Sequence, residues 1–293
     1  MIERSCIICG SAPLTPKHDY LRCAGCAHEV LAVDEGQTYI VNDPLDISEA
    51  DRMTSLDRFK NGILRRWLIG DNVLVDFGSA SGKFLYQNRG LFRTAMGIEV
   101  TSDAVTFSRE RLGLEIRATV EDLPSGIDVV TCWHSLEHVP ADELHGVVAG
   151  IAGRLSHRGR VIVSVPNVSS FQYQLLGRDY AFYDVPNHHH QFSIRSLDRL
   201  MAGVGLRRIQ LAFSGIYDLF GWVQGAINLV GGGHNYLYYR MKRRSGPDNP
   251  LLTMGHTMLL PLVTAPALLF ALADSAFFER QGVITACYER NRF

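Results

Sequence analysis

With 293 residues, 46% of them hydrophobic, and 29 basic against 30 acidic side chains, the chain can bury a large core and carries a formal charge of −1. That balance removes the electrostatic reason to expect nucleic acid as a partner. The opening run Met1-Ile-Glu-Arg-Ser5 has no charged region followed by an apolar stretch, so a cytoplasmic, reducing setting is expected.

Two identical clips come first, Cys6-Ile-Ile-Cys9 and Cys23-Ala-Gly-Cys26, with thirteen residues between them. This spacing lets two short turns supply four thiolates to one tetrahedral zinc, and it predicts a ribbon over residues 1–33. Two disulfides or four free thiols are the alternatives, and a reducing compartment disfavours the first. A closed four-cysteine site holds structure and performs no chemistry. Gly10 relieves crowding behind the first clip, whereas Ala27 stands where a second glycine is expected. His18 and His28 are expected at the surface, and the isolated Cys132 and Cys287 in the core.

Residues 34–46 read as an extended linker, and Ser48 precedes a helical stretch to about Leu68, so 34–70 form a linker and helix. Strands are predicted at 72–77, 95–100, 115–120, 128–133 and 160–166, with helices at 83–88, 103–112 and 142–155. Leu206–Phe213 and Val283–Glu289 read as a sixth and seventh strand of the same sheet. Alternation through short connections predicts an α/β fold, a doubly wound Rossmann-like sheet with helices on both faces. Its core would span residues 71–214, with 283–293 returning as the last strand.

Chemistry starts at Val73-Leu-Val-Asp76-Phe-Gly78-Ser79-Ala80-Ser-Gly82, where a buried strand turns through glycine into a helix. Such a turn lets backbone approach a ligand at the carboxyl edge of the sheet. The dinucleotide fingerprint fails here, because Ala80 and Lys83 stand where it needs glycine, and the phosphate-loop pattern fails as well. Glu99 closes the second strand, 17 residues beyond Gly82, where a carboxylate can accept from both hydroxyls of a ribose. Thr119-Val-Glu121-Asp122-Leu123-Pro124 follows the third strand, with an acid suited to an adenine amino group and Leu123 to cover the ring. His134-Ser-Leu-Glu137-His138-Val139 follows the fourth.

This ordered set resembles the class I S-adenosylmethionine-dependent methyltransferases, over roughly residues 70–205, in the branch with Leu-Glu-His-Val after strand four. The resemblance implies that Asp76, Gly78, Ser79 and Gly82 surround the methionine part and that Glu99 holds the ribose. It further implies Glu121 and Asp122 beside the adenine and His134 near the sulfonium. Ala80 departs from the family's glycine, and a slightly tighter turn with retained binding is expected. The ribbon is similar to the N-terminal cap of methyltransferases from sugar and polysaccharide pathways.

Beyond strand five lie Phe171, Tyr173, Tyr180, Phe182 and Tyr183, then Asp184-Val-Pro186-Asn-His188-His189-His190. Adjacent residues point different ways, so one metal would not gather three successive histidines. The Pro-x-His pattern resembles the family's loop before the last helix. A neutral imidazole there can accept a hydroxyl proton, so His188 is the first candidate base, with His190 and Tyr183 behind it. A histidine that merely packs the loop is the alternative.

The last third, residues 215–282, reads as an apolar helical insertion, with Leu251–Ala273 free of Asp, Glu, Lys and Arg. Crossing the membrane would separate the last strand from its sheet or carry the basic run Arg240-Met-Lys-Arg-Arg244 outward, against the positive-inside tendency. An apolar lid and a helix lying on the cytoplasmic membrane surface remain, and Pro261 and Pro266 argue against one long straight helix. The expected function is methyl transfer from S-adenosylmethionine to a small-molecule, sugar or lipid-linked acceptor, with a structural zinc. An RNA-modifying enzyme and a catalytically silent cofactor binder are the alternatives.

Overall fold

The computed structural model describes residues 5–11, 13–33, 45–68, 73–241 and 249–291. The linker residues 34–44 and the basic residues Lys242–Arg244 lie outside this set. The N-terminal segment forms a meander of β1 (Leu14–Lys17), β2 (Tyr20–Cys23) and β3 (Glu29–Leu31). The helical stretch expected from Ser48 to Leu68 is two helices, α1 (Ile47–Asp51) and α2 (Ser55–Trp67). Thr54 causes the break: its hydroxyl accepts from Asp57 N while its own N–H donates to Asp57 Oδ2, a capping box that starts a new helix.

The main sheet begins with β4 (Val73–Phe77), and α3 (Lys83–Asn88), β5 (Thr94–Ile98), α4 (Ser102–Glu110) and β6 (Glu115–Arg117) follow. Then come β7 (Ile127–Trp133), α5 (Leu144–Arg154), β8 (Leu155–Pro166), α6 (Phe171–Leu176), a short β9 (His190–Gln191), α7 (Ile194–Gly203) and β10 (Leu206–Ala212). Three helices, α8 (Gly215–Asn228), α9 (Tyr236–Met241) and α10 (Pro250–Asp274), precede the closing β11 (Val283–Arg290).

Seven strands make the large sheet in the order β10-β11-β8-β7-β4-β5-β6. Strands β4 to β8 run parallel, and β11 returns antiparallel between β8 and β10. Side chains alternate between two buried faces. Leu74, Val129 and Ile162 pack on one side, while Val75, Val130 and Val163 pack on the other. Both faces are covered by helices, which is why the strands read as apolar runs. Cys132 and Cys287 are buried in this sheet.

The ribbon is not a free-standing cap. Strand β3 pairs with β9, Glu29 opposite Gln191 and Val30 opposite His190, so the N-terminal segment and the segment before α7 share a four-stranded sheet. Glu29 is fully buried there, bonded to Tyr173 Oη and paired with Arg22 and Lys17. His28, expected at the surface, is buried against His190 and Phe192.

The C-terminal helices form a hairpin, with α8 and α10 side by side. Trp222 stacks on Phe270 and donates to Asp274 Oδ2 at 2.7 Å. Helix α10 is continuous over 25 residues and runs through Pro261 and Pro266. Each proline removes one N–H bond, and the packing of Ala267, Ala271 and Asp274 against α8 beyond them keeps the helix in register. Most of α10 is nonetheless uncovered: Leu251, Met254, Met258, Leu262, Leu269 and Leu272 are exposed.

Candidate active site and cysteine cluster

A crevice of about 1930 Å³ runs along the carboxyl ends of β4, β5, β6 and β7, and α8, α9 and the segment before β9 close its far wall. At its floor the chain leaves β4 through Gly78, whose φ of +71° suits glycine. A Cβ on Gly78 would sit 2.5 Å from Ser135 Cβ, so the absence of a side chain lets two strand ends approach. Gly78 N and Ser79 N both donate to Ile98 O at 2.9 Å, which fixes the turn against β5.

Ala80 also adopts a left-handed conformation, φ +48°, at a cost of about 1 kcal/mol for a residue with a Cβ. Its N–H donates to Glu99 Oε2 at 2.8 Å. Val100 N and Thr101 N donate to Glu99 Oε1, each at 2.8 Å. Three backbone donors therefore orient this buried carboxylate, and Oε2, with a single donor, keeps acceptor capacity toward the crevice. Asp76 is buried and accepts from Thr131 Oγ1 at 2.6 Å. Burial raises its carboxyl to about 7, against the lowering effect of that bond.

The predicted residues divide between crevice and scaffold. Asp76, Gly78, Ser79, Ala80, Glu99, Glu121, His134 and His188 line the crevice together. Gly82 instead caps α3, with Ser108 and Leu114 against its Cα. Asp122 accepts from Thr119 N and Oγ1 as the acid of a capping box, and Leu123 is part of the core. The crevice wall after β6 is Ala118, Thr119, Val120 and Glu121, so of the acids expected beside the adenine Glu121 lines it.

Two of the three candidate bases face the ribbon. Tyr183 donates to Asp19 Oδ2 at 2.6 Å, and His190 is fully buried against His28 and Phe192. Only His188 reaches the crevice. There His138 lies beside it, ring centroids 4.7 Å apart, and Glu137 joins them within a cluster whose donor atoms lie inside 4.8 Å. Burial, helped by the neighbouring His138, lowers the His188 imidazole to about 4. Burial pushes the Glu137 carboxyl up, but the His134 bond and the nearby rings leave it below its ordinary value.

Sequence reasoning missed Tyr217 and Phe220, which with Trp133 bring an aromatic wall from α8 and β7. Their signal, aromatics within apolar runs, is the same as that of any core. Several buried polar atoms here lack partners among the described residues: Ser79 Oγ, His134 Nε2, Ser135 Oγ and Tyr217 Oη. Such atoms fit a crevice built for a polar ligand.

In the ribbon, Cys6 Sγ lies 3.7 Å from Cys26 Sγ, and Cys9 Sγ 3.5 Å from Cys23 Sγ. These separations are too long for a disulfide, about 2.05 Å. They match the edges of a tetrahedron around zinc, roughly 3.8 Å for Zn–S bonds of about 2.3 Å. Gly10 and Ala27 take the same left-handed turn, φ +69° and +58°, and their N–H groups donate to Cys6 O and Cys23 O. The four thiols could therefore hold one metal.

The strand order, glycine turn and strand-end carboxylate are those of a class I S-adenosylmethionine-dependent methyltransferase. A family model described as a methyltransferase domain matches residues 52–211, and the chain belongs to that family. Among solved structures it is similar in fold to the [4+2]-cyclase SpnF, with a TM-score of 0.51 and 15% identity, covering 91% of this chain and 87% of that one. It is likewise similar to the cyclopropane synthase MmaA2 from Mycobacterium tuberculosis, at 0.52 and 12%, covering 82% and 87%. Among curated proteins it is 28% identical over 133 residues to a ubiquinone biosynthesis O-methyltransferase of Burkholderia vietnamiensis, 41% of this chain and 56% of that protein. A Burkholderia ambifaria protein of the same description matches equally. The chain thus spans about half the length of the curated relatives it matches.

Proposed function

We propose that the protein transfers the methyl group of S-adenosylmethionine to a hydroxyl oxygen of a small-molecule, sugar or lipid-linked acceptor. The observation that carries this reading is that the Gly78 turn, Glu99 and the His138–His188 wall open onto one crevice. Its volume exceeds that of a single drug-sized pocket, about 300–1,000 Å³, so a donor and an acceptor fit side by side. When bound, the donor supplies an electrophilic methyl on a sulfonium whose leaving group is a neutral thioether.

The remaining work belongs to this chain. Glu99 Oε2 accepts from the ribose, Ala118–Glu121 border the adenine, and Asp76 with the Gly78–Ser79 turn surrounds the methionine part. His134 stands nearest the transferred methyl. His138 and His188 receive the acceptor hydroxyl, whose proton passes to water as its oxygen forms the new C–O bond, while the C–S bond breaks and its electron pair stays on sulfur. Holding both reactants in line converts a bimolecular step into an effectively unimolecular one. The O-methyltransferase description of the Burkholderia relatives supports an oxygen acceptor. In the ribbon, Cys6, Cys9, Cys23 and Cys26 would hold a zinc that fixes the fold and leaves no open position.

The uncovered face of α10 supports a peripheral site at the cytoplasmic membrane surface. Of the apolar window in α10, 17% is buried. Helix α8, at 14 residues, is about 21 Å long and cannot cross a bilayer core of about 30 Å as the return limb. Leu260 of α10 also lines the crevice, so the exposed apolar face and the acceptor space are continuous. To test acceptor and location together, lipid and sugar-nucleotide fractions of cell extracts would be incubated with methyl-labelled donor. Label is expected in a lipid-soluble O-methyl product. Label confined to water-soluble products would remove the lipid-linked part, and no label in any fraction would remove methyl transfer.

A further inference from the structure

We propose that Glu137, His138 and His188 form a second metal site, separate from the four cysteines, for a first-row divalent cation on the acceptor side of the crevice. The site itself rests on geometry alone, and its catalytic use rests on the O-methylation reading above. One donor atom from each residue lies within 4.8 Å of the others, close enough to share one ion.

A plain hydrogen-bond network would satisfy Glu137 and His188, and it does not. Glu137 is fully buried, yet among the described residues its Oε2 has no partner, and neither has Nδ1 of the buried His188. The one ion-pair partner of Glu137 among the described residues is His134, whose Nδ1 lies 3.2 Å from Oε1. That contact engages Oε1 alone, and a divalent ion would set positive charge against the unpartnered Oε2 of the same buried carboxylate.

The surrounding bonds orient the donors as metal sites require. His138 Nδ1 donates to Asn187 O at 2.8 Å, which places the ring's lone pair on Nε2. His134 Nδ1 holds Glu137 Oε1, so Oε2 is the oxygen presented to an ion. Two imidazoles and one carboxylate suit Mn²⁺, Fe²⁺, Co²⁺ or Zn²⁺. Three protein ligands leave positions open for a hydroxyl oxygen, and His138 and His188 line the crevice in which an acceptor would lie. A coordinated hydroxyl is more acidic than a free one. Its proton passes to water, the resulting alkoxide forms the C–O bond, and the C–S electron pair remains on sulfur.

The test uses the full chain with its cysteine cluster left loaded, titrated with Mn²⁺ followed by calorimetry and electron paramagnetic resonance. One Mn²⁺ per chain is expected. Glu137→Gln and His188→Gln should each weaken it roughly 100-fold, while S-adenosylhomocysteine binding, which also reports folding, stays within about twofold. His138→Gln gives a third variant should one of these fail to fold. No Mn²⁺ or Co²⁺ binding up to about 1 mM, or equal binding in folded variants, would overturn the site. Methyl transfer that persists in protein binding no Mn²⁺ or Co²⁺ would end this inference and leave the methyltransferase reading intact. Mn²⁺ bound at the cluster without methyl transfer to any acceptor would do the reverse.

Discussion

Replacing Glu99 with alanine is expected to weaken S-adenosylhomocysteine binding at least about 100-fold by calorimetry. Two losses combine. The ribose would forfeit a charge-assisted acceptor, a bond of about 1.5–3 kcal/mol. Ala80 N, Val100 N and Thr101 N would also lose their shared partner, and these three donors hold the turn that shapes the floor of the crevice. Ala80 is vulnerable because its left-handed conformation is already unfavourable. Glu99→Gln keeps one oxygen acceptor and should fall between the two, at roughly tenfold. An alanine variant that binds as tightly as the parent chain would show that the carboxylate serves only the backbone.

The second large effect is expected at the cysteine cluster, and it should separate two properties of the enzyme. Cys26→Ser removes one of four thiols, and structural zinc sites contribute folding energy directly. Melting is expected about 10 °C lower, with one zinc lost per chain. Because β3 pairs with β9, and Ser193 Oγ donates to Cys26 O at 2.7 Å, the loosened ribbon should release the segment carrying His188. Gly78 and Glu99 follow β4 and β5 of the seven-stranded sheet, whereas β9 belongs to the four-stranded one. Methyl transfer should therefore fall about 100-fold or more while S-adenosylhomocysteine affinity changes by about threefold at most. Zinc loss with unchanged transfer would make the ribbon an independent cap, as its sequence alone suggests.

Local patterns carried most of the fold. Parallel strands announce themselves as apolar runs, so β4, β7 and β8 were legible, and so were the glycine turn and the acid at the end of β5. Thr54 shows where such reading fails: a capping box broke a stretch whose apolar spacing is continuous. The segment after β6 was located, but which of its side chains face the crevice depends on a short turn, and Asp122 and Leu123 turned to capping and core instead. The three histidines were harder still. Their order along the chain gives no hint that His190 joins a strand pair with Val30, 160 residues away, while His188 turns toward His138. The ribbon's union with β9 and the Glu137–His138–His188 cluster are non-local, and nothing in local spacing encodes either.

The claim on which all of this depends is that an adenosyl group lies between Glu99 and the turn after β6, with its sulfur end beside the Gly78 turn and His134. A crystal structure of the full chain with S-adenosylhomocysteine addresses it directly. The account predicts ribose hydroxyls within hydrogen-bond distance of Glu99 Oε2 and the thioether sulfur facing the His134–His188 side. The nucleoside bound elsewhere, or crystals grown in saturating ligand with nothing in the crevice, would contradict it.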